Sequence, residues 1–140
     1  MQLILRFYGN PGEIHGNFDF VHCMNYYEHV PPAGGKITIN PKALESLLSK
    51  QLQYHGSLYP VSSVIRTRKF IERGWKINAG QYLKMMLQIS ELDLTNPVVL
   101  EEQLTGVDTW YFAALVTSLR EADPEKVNAT YIGAIIDRIF

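Results

Sequence analysis

The spacing of apolar residues changes at Asn40, and this change limits what the chain can fold into. Before Asn40, apolar side chains repeat with the two-residue period of a strand, whereas after it they recur at the three- and four-residue intervals of amphipathic helices. Strands followed by helices in segregated order predict an α+β fold that is mainly helical. We expect a small N-terminal antiparallel sheet of two or three strands, packed on a bundle of five or six helices.

Turn and cap residues set the boundaries of these elements. Strands are predicted at about residues 2–8, 18–27 and 36–39, with the third returning as the hairpin partner of the second. Helices are predicted at about residues 41–50, 60–73, 78–92, 97–104, 109–121 and 125–138. No interior linker divides the chain, so residues 1–140 are expected to form a single domain.

Individual helix ends carry clear signals. Asn40 before a proline marks one start, and Gly74 marks an end, because glycine accepts positive φ. Asn78 and Gln81 have the spacing of a capping box. The helix that follows them is apolar nearly all round, which predicts a central position.

Composition narrows the class of protein further. The single cysteine, Cys23, excludes an intrachain disulfide, so we expect a reducing compartment and a cytoplasmic location, with Cys23 as a small core residue. No apolar stretch reaches the roughly 18 residues of a membrane span, so a membrane partner is not expected.

Residues 1–76 carry nine Lys/Arg against five Asp/Glu, and residues 77–140 carry four against nine. That asymmetry indicates either a basic surface for a polyanion or two complementary halves that meet.

Asp19 is the first candidate functional residue, because it lies between two phenylalanines in a predicted strand. A carboxylate beside apolar neighbours faces solvent, pairs with a base or helps to bind a metal, since burying it alone is costly. A Mg²⁺ site usually needs further oxygen ligands, and the strand predicted upstream of Asp19, at about 2–8, carries no second carboxylate.

A basic helix is the second candidate. The helix predicted at 60–73 and the residues just after it carry several cations, which are Arg66, Arg68, Lys69, Arg73 and Lys76. They could grip the phosphates of a nucleotide or of RNA, with Trp75 or Tyr59 stacking on a base. The alternative is a solvated helix face that pairs with the acidic second half.

Histidine and cysteine spacing does not favour a zinc site. His15, His22 and His29 recur every seven residues, but no C-x-x-C, H-x-x-x-H or H-x-H spacing is present.

Several stretches together resemble a known superfamily: "QLILRFYGNPGEIHGNFDFVHCMNYY", "NPKALESLL", "GSLYPVSSVIRTRKFIERGWKINAGQYLKM" and "LEEQLTGVDTWYF". They resemble the C-terminal part of phage-encoded and marine environmental proteins related to nucleotidyltransferases of the DNA polymerase β superfamily. The resemblance implies that Asp19 matches the third metal-binding carboxylate of that superfamily.

The chain departs from this pattern, because it has no D-x-D pair, and its Gly56-Ser57 lies downstream of Asp19. Two-metal phosphoryl transfer needs several carboxylates. We therefore expect an accessory domain or fragment that is not catalytic alone, with Asp19 as a vestigial site and with Mg²⁺ bound only beside an upstream catalytic domain. The alternative is a structural or interaction protein that forms a homodimer or larger homo-oligomer and has no ligand site.

Overall fold

The computed structural model describes residues 8–32, 34–104, 117 and 128–139. Within these ranges the fold is α+β with six α-helices and a small antiparallel sheet, which confirms the predicted fold class. The helices are α1 (Pro11–His15), α2 (Pro41–Ser49), α3 (Pro60–Glu72), α4 (Ala79–Ser90), α5 (Pro97–Leu104) and α6 (Ala129–Ile139). The strands are β1 (Tyr26–Val30), β2 (Gly34–Thr38), β3 (Gln51–Leu52) and β4 (Lys76–Ile77). None of the described helices has the length and apolarity needed to cross a bilayer.

Two of the predicted elements cannot be compared with the described residues. The strand predicted at about 2–8 and the helix predicted at about 109–121 lie, apart from Tyr8 and Thr117, outside the described residues. The last predicted helix, at about 125–138, is observed from Ala129 onwards, where the side chain of Asn128 accepts a hydrogen bond from the Tyr131 amide at 3.0 Å.

Only one of the two strand pairs was predicted from the sequence. β1 and β2 form the predicted antiparallel hairpin, in a register that runs from Tyr26 opposite Thr38 to Val30 opposite Gly34. β3 and β4 pair in parallel, with Gln51 opposite Lys76 and Leu52 opposite Ile77. A pair only two residues long is too short for a periodic pattern, so this second sheet was not predicted.

Residues 18–27 do not form the single strand that their composition predicts. Phe20 makes an isolated antiparallel bridge to Tyr54, Val21–Cys23 form a 3₁₀ helix, and regular β structure begins only at Tyr26. The physical reason is that Phe20 and Val21 are both buried although they are neighbours. The 3₁₀ turn places Val21 and Met24 in one small cluster with Ala43 of α2, while Phe20 enters a separate cluster.

Helix starts follow the cap signals in one case and depart from them in another. At α2, the Asn40 side chain accepts hydrogen bonds from the amides of Lys42 and Ala43 at 3.0 and 3.4 Å. The capping box predicted at α4 is not formed, since Asn78 makes no side-chain cap bond. Gln81 is used elsewhere, because its Oε1 accepts a hydrogen bond from the Tyr54 amide at 2.8 Å.

Helix α3 lies between two apolar clusters and joins them. One cluster has Phe20, Leu52, Tyr54 and Met85 at its centre, with Val64 and Phe70 of α3 packed against it. The other has Leu100, Leu104 and Ile135 at its centre, with Val61 and Ile65 of α3 packed against it. Two hydrogen bonds add to the second contact, from Ser62 Oγ to the Gln103 carbonyl at 2.5 Å and from Gln103 Nε2 to the Leu58 carbonyl at 3.1 Å.

Helix α4 is not the central helix that its apolar composition predicts. Met85 is fully buried, but Leu83, Met86 and Leu87 are exposed. These three residues have helical spacing, so one apolar stripe of α4 is left on the surface.

Candidate functional site

Asp19 is held by the short backbone pairing that surrounds Phe20. The Val21 amide donates to the Gln53 carbonyl at 3.0 Å, and the His55 amide donates to the Asp19 carbonyl at 2.8 Å. These bonds fix the segment beside residues 53–55, with the Asp19 residue only 7% exposed.

The buried carboxylate of Asp19 pairs with Arg66 on α3. Arg66 Nη2 lies 3.1 Å from Asp19 Oδ2, although Arg66 Nε is buried without a hydrogen-bond partner in the described part of the chain. Of the three arrangements that the sequence left open, pairing with a base is therefore the one observed. The arginine supplies the opposite charge that a buried carboxylate requires.

Tyr54 lies close enough to this ion pair for the charges of Asp19 and Arg66 to act on its hydroxyl. Its hydroxyl donates to Gln88 Oε1 at 2.6 Å, and Gln88 Nε2 donates to the Ser57 carbonyl at 2.6 Å. Burial raises the pKa of Tyr54 to about 12, with the Ser63 hydroxyl opposing the shift and the Asp19 carboxylate adding to it. Tyr54 is therefore a protonated donor at neutral pH and holds α4 against the 53–57 segment.

His22 is enclosed by aromatic rings. Its ring centroid lies 4.9 Å from that of Phe70 and 4.5 Å from that of Trp75. Burial lowers the pKa of His22, and the nearby Asp19 carboxylate partly opposes this shift. Trp75 packs against His22 and Phe70, and its stacking on a base stays a prediction.

Cys23 is exposed and is not the core residue that its type predicts. Partial burial of the thiol raises the pKa of Cys23, and the Asp19 carboxylate adds to this shift while Arg66 opposes it. A raised pKa keeps the thiol protonated, so Cys23 lacks the activation that a nucleophilic cysteine needs.

Two of the five predicted basic residues form ion pairs within the described part of the chain. Arg66 pairs with Asp19, and Arg68 Nε lies 3.3 Å from Glu72 Oε1 within α3. Both acidic partners belong to residues 1–76, so these two ion pairs do not join the basic half of the chain to the acidic half. The remaining three cations are Lys69 in the last turn of α3, Arg73 at its C-cap, and Lys76 at the start of β4.

Tyr59 occupies the N-cap position of α3 and is half-buried. Within the described residues there is no group of three or more His, Cys, Asp or Glu side chains that could hold a metal ion. A Mg²⁺ role for Asp19 and phosphate binding by the basic residues stay predictions.

An open cavity of about 430 Å³ lies between α1 and β1. Its lining includes His15, Phe18, Cys23, Tyr26 and Glu28. This cavity was not predicted from the sequence. The signal that could have revealed it is the concentration of aromatic residues around the α1 turn.

Two comparisons with known proteins find similarity to Gabija anti-defense 2. The family model described as Gabija anti-defense 2 family protein matches residues 1–50. A curated relative, Gabija anti-defense 2 from Bacillus phage SPbetaL7, is 21% identical over 109 residues, which cover 76% of this chain and 26% of the relative. The chain thus spans about a quarter of the length of that relative. No solved structure matches.

These matches overturn the functional interpretation drawn from the sequence. The resemblance to nucleotidyltransferases of the DNA polymerase β superfamily is wrong, because both matches name the Gabija anti-defense 2 family instead. The accessory-domain function that rested on the resemblance is wrong for the same reason, and the homo-oligomeric structural alternative is also unsupported. The matches give no support to a nucleotide, RNA or homodimer partner. Similarity to the Gabija anti-defense 2 family is what the sequence comparisons establish for this chain.

Proposed function

We propose that this chain is part of a phage anti-defense protein that acts against Gabija by binding a host defense protein. The observation that carries the proposal is the family match to residues 1–50, supported by the relative that aligns with 76% of the chain. A protein that opposes a defense by binding needs an accessible surface, and apolar side chains left in solvent often mark one.

The matched region has such a surface on its hairpin. Tyr27 of β1 and Ile37 of β2 stand directly opposite each other, so their side chains share one face of the sheet. They are 61% and 69% exposed. Gly35 makes room for the tyrosine, since a Cβ at that position would come within 1.9 Å of the Tyr27 ring. An exposed aromatic residue beside an aliphatic one is typical of the centre of a protein interface.

The location of the protein stays a prediction. The single cysteine and the proposed target in the host cell support a cytoplasmic site of action.

A phage infection assay tests the proposal. A bacterial strain that carries Gabija and a matched strain that lacks it would each express this chain, or the SPbetaL7 relative with its matching segment replaced by this chain. We expect plating of a Gabija-sensitive phage to recover in the first strain and to stay unchanged in the second. Failure of both proteins to restore plating, although both accumulate, would contradict the proposal, as would an equal gain without Gabija.

Matched variants locate the surface. Ile37→Glu places a charge on the exposed hairpin, whereas Val98→Glu places the same charge on α5, where the native side chain is 72% exposed. We expect the first substitution to abolish recovery of plating and the second to preserve it. Equal loss or equal retention in the two variants would exclude the hairpin as the binding surface.

A further inference from the structure

The cavity between α1 and β1 has an aromatic wall, and we call it the aromatic pocket. The wall is built by His15 with Phe18 and Tyr26, whose ring centroids each lie 5.3 Å from that of His15. Every lining residue falls between Gly9 and Glu28, so the pocket lies inside the region that matches the anti-defense family.

Local hydrogen bonds fix the α1 side of the aromatic pocket. The Glu13 amide donates to Asn10 Oδ1 at 3.1 Å, and Glu13 Oε2 accepts from the Asn10 amide at 2.8 Å, which makes a complete capping box. At the other end, Asn17 Nδ2 donates to the Glu13 carbonyl at 3.0 Å. A helix of five residues would otherwise be unstable, so these bonds hold His15 in place against its aromatic neighbours.

The opposite wall is also anchored. Asn25, another lining residue, has its Oδ1 bonded to the Asn40 amide at 2.8 Å, which ties the start of β1 to the start of α2. The pocket is therefore formed before any ligand arrives, and binding does not require ordering of these two walls.

The aromatic pocket has one acidic residue in its lining and no Lys or Arg. Glu28 is the sole Asp, Glu, Lys or Arg among the lining residues, and it makes no ion pair within the described parts of the chain. Lys36 stands opposite Glu28 across the hairpin but is not among the lining residues. Ring faces carry negative electrostatic potential, and together with a carboxylate they attract a cation.

We propose that the aromatic pocket binds a lysine or arginine side chain of the partner protein. The proposal rests on the proposed function, because it assigns a chemical feature to the same host defense protein. The long apolar stem of such a side chain contacts the rings while its charged end approaches Glu28. A cavity of about 430 Å³ is large enough for one such side chain and the backbone beside it.

Cys23 gives a direct measurement, because it lines the pocket and is the chain's single cysteine. The purified chain would react with a trimethylammonium methanethiosulfonate and with a neutral methanethiosulfonate, with free cysteine as the reference thiol. In each reaction the Cys23 thiolate attacks the thiosulfonate sulfur, a mixed disulfide forms and methanesulfinate leaves. Because the same thiolate is the nucleophile in both reactions, the ratio of the two rates cancels the effect of the Cys23 pKa. We expect the cationic reagent to be favoured by about threefold relative to free cysteine, the size of one exposed cation–aromatic contact.

Three comparisons decide the result. We expect Glu28→Gln and Tyr26→Leu to lower the rate ratio toward that of free cysteine, and Glu91→Gln, which removes the same charge from the end of α4, to leave it unchanged. Circular dichroism would show whether the variants are folded. A separate arm on the native chain needs no variant: millimolar acetyl-arginine amide should slow the neutral reagent, and the uncharged acetyl-citrulline amide should not.

A native rate ratio equal to that of free cysteine, or equal protection by the two amides, would overturn the pocket proposal. Neither measurement involves Gabija, so failure here leaves the infection assay as an independent test of the proposed function. Conversely, the chain could show a cation-selective pocket and still fail the infection assay. That result would refute the proposed function but support the pocket as a cation-binding site.

Discussion

Replacing Arg66 with methionine tests the ion pair that joins α3 to the family-matched region. The substitution keeps an apolar stem but leaves the carboxylate of Asp19, whose side chain is 10% exposed, without its counter-charge. Breaking a fully buried pair costs about 3–5 kcal/mol, and exposed pairs contribute about 1 kcal/mol or less. Because the Arg66 side chain is 36% exposed, water screens part of the loss, and we expect the free energy of unfolding to fall by about 2 kcal/mol.

Urea unfolding followed by circular dichroism measures this loss, and a double-mutant cycle isolates the pair. Asp19→Asn in the Arg66→Met background should restore part of the stability, because it removes the uncompensated charge. Arg68→Met is the matched control: its pair with Glu72 is exposed on both sides, so we expect a loss of less than about 0.5 kcal/mol. Equal losses for the two arginines, or a coupling energy near zero between Asp19 and Arg66, would refute the reasoning.

Three further predictions concern groups around the same pair. Burial lowers the pKa of His22, so the folded chain binds fewer protons than the unfolded chain, and the free energy of unfolding should fall as the pH drops through about 6.5. This fall should be weaker in His22→Phe and persist in His55→Gln, as measured by urea unfolding at several pH values. The pKa of Tyr54 is raised to about 12, so the free energy of unfolding should decline as the pH rises from about 10 to about 12. Ultraviolet titration of the tyrosines measures this pKa: the group that ionises at the highest pH in the native chain should be absent from Tyr54→Phe. Burial and Asp19 raise the pKa of Cys23, so Asp19→Asn should speed alkylation by iodoacetamide at fixed pH; an unchanged rate would contradict the assigned influence of Asp19.

Signals confined to a few neighbouring residues allowed most of the described helices to be predicted. Asn40 caps α2 with its own side chain, α3 begins at Pro60, and Gly74 follows α3 with φ of 81°. Each of these preferences acts within a few residues of the helix end, so no knowledge of the tertiary structure is required.

Predictions failed where a side chain had a choice between a local and a distant partner. Gln81 has the spacing of a local cap, but it bonds to the amide of Tyr54, 27 residues away. Likewise, the alternation around Phe20 predicts a strand, yet neighbouring buried residues pack into different clusters. The pairing of Asp19 with Arg66 could be expected only as one of several alternatives, since sequence spacing does not reveal which helix faces a carboxylate.

The position of Asp19 now has a structural explanation that needs no metal. The carboxylate faces α3, where Arg66 pairs with it, and the next residue, Phe20, packs edge-on against Phe70 of the same helix with ring centroids 5.5 Å apart. Two adjacent residues of the family-matched region therefore contact one helix of the remaining chain through one polar and one apolar interaction. The apolar contact provides most of the burial, because Phe20 is fully buried. The ion pair makes the position of α3 specific, because a displaced α3 would leave Asp19 buried without a counter-charge. Since the aromatic pocket and the exposed hairpin lie outside this contact, they remain accessible to a partner while α3 holds the region that carries them.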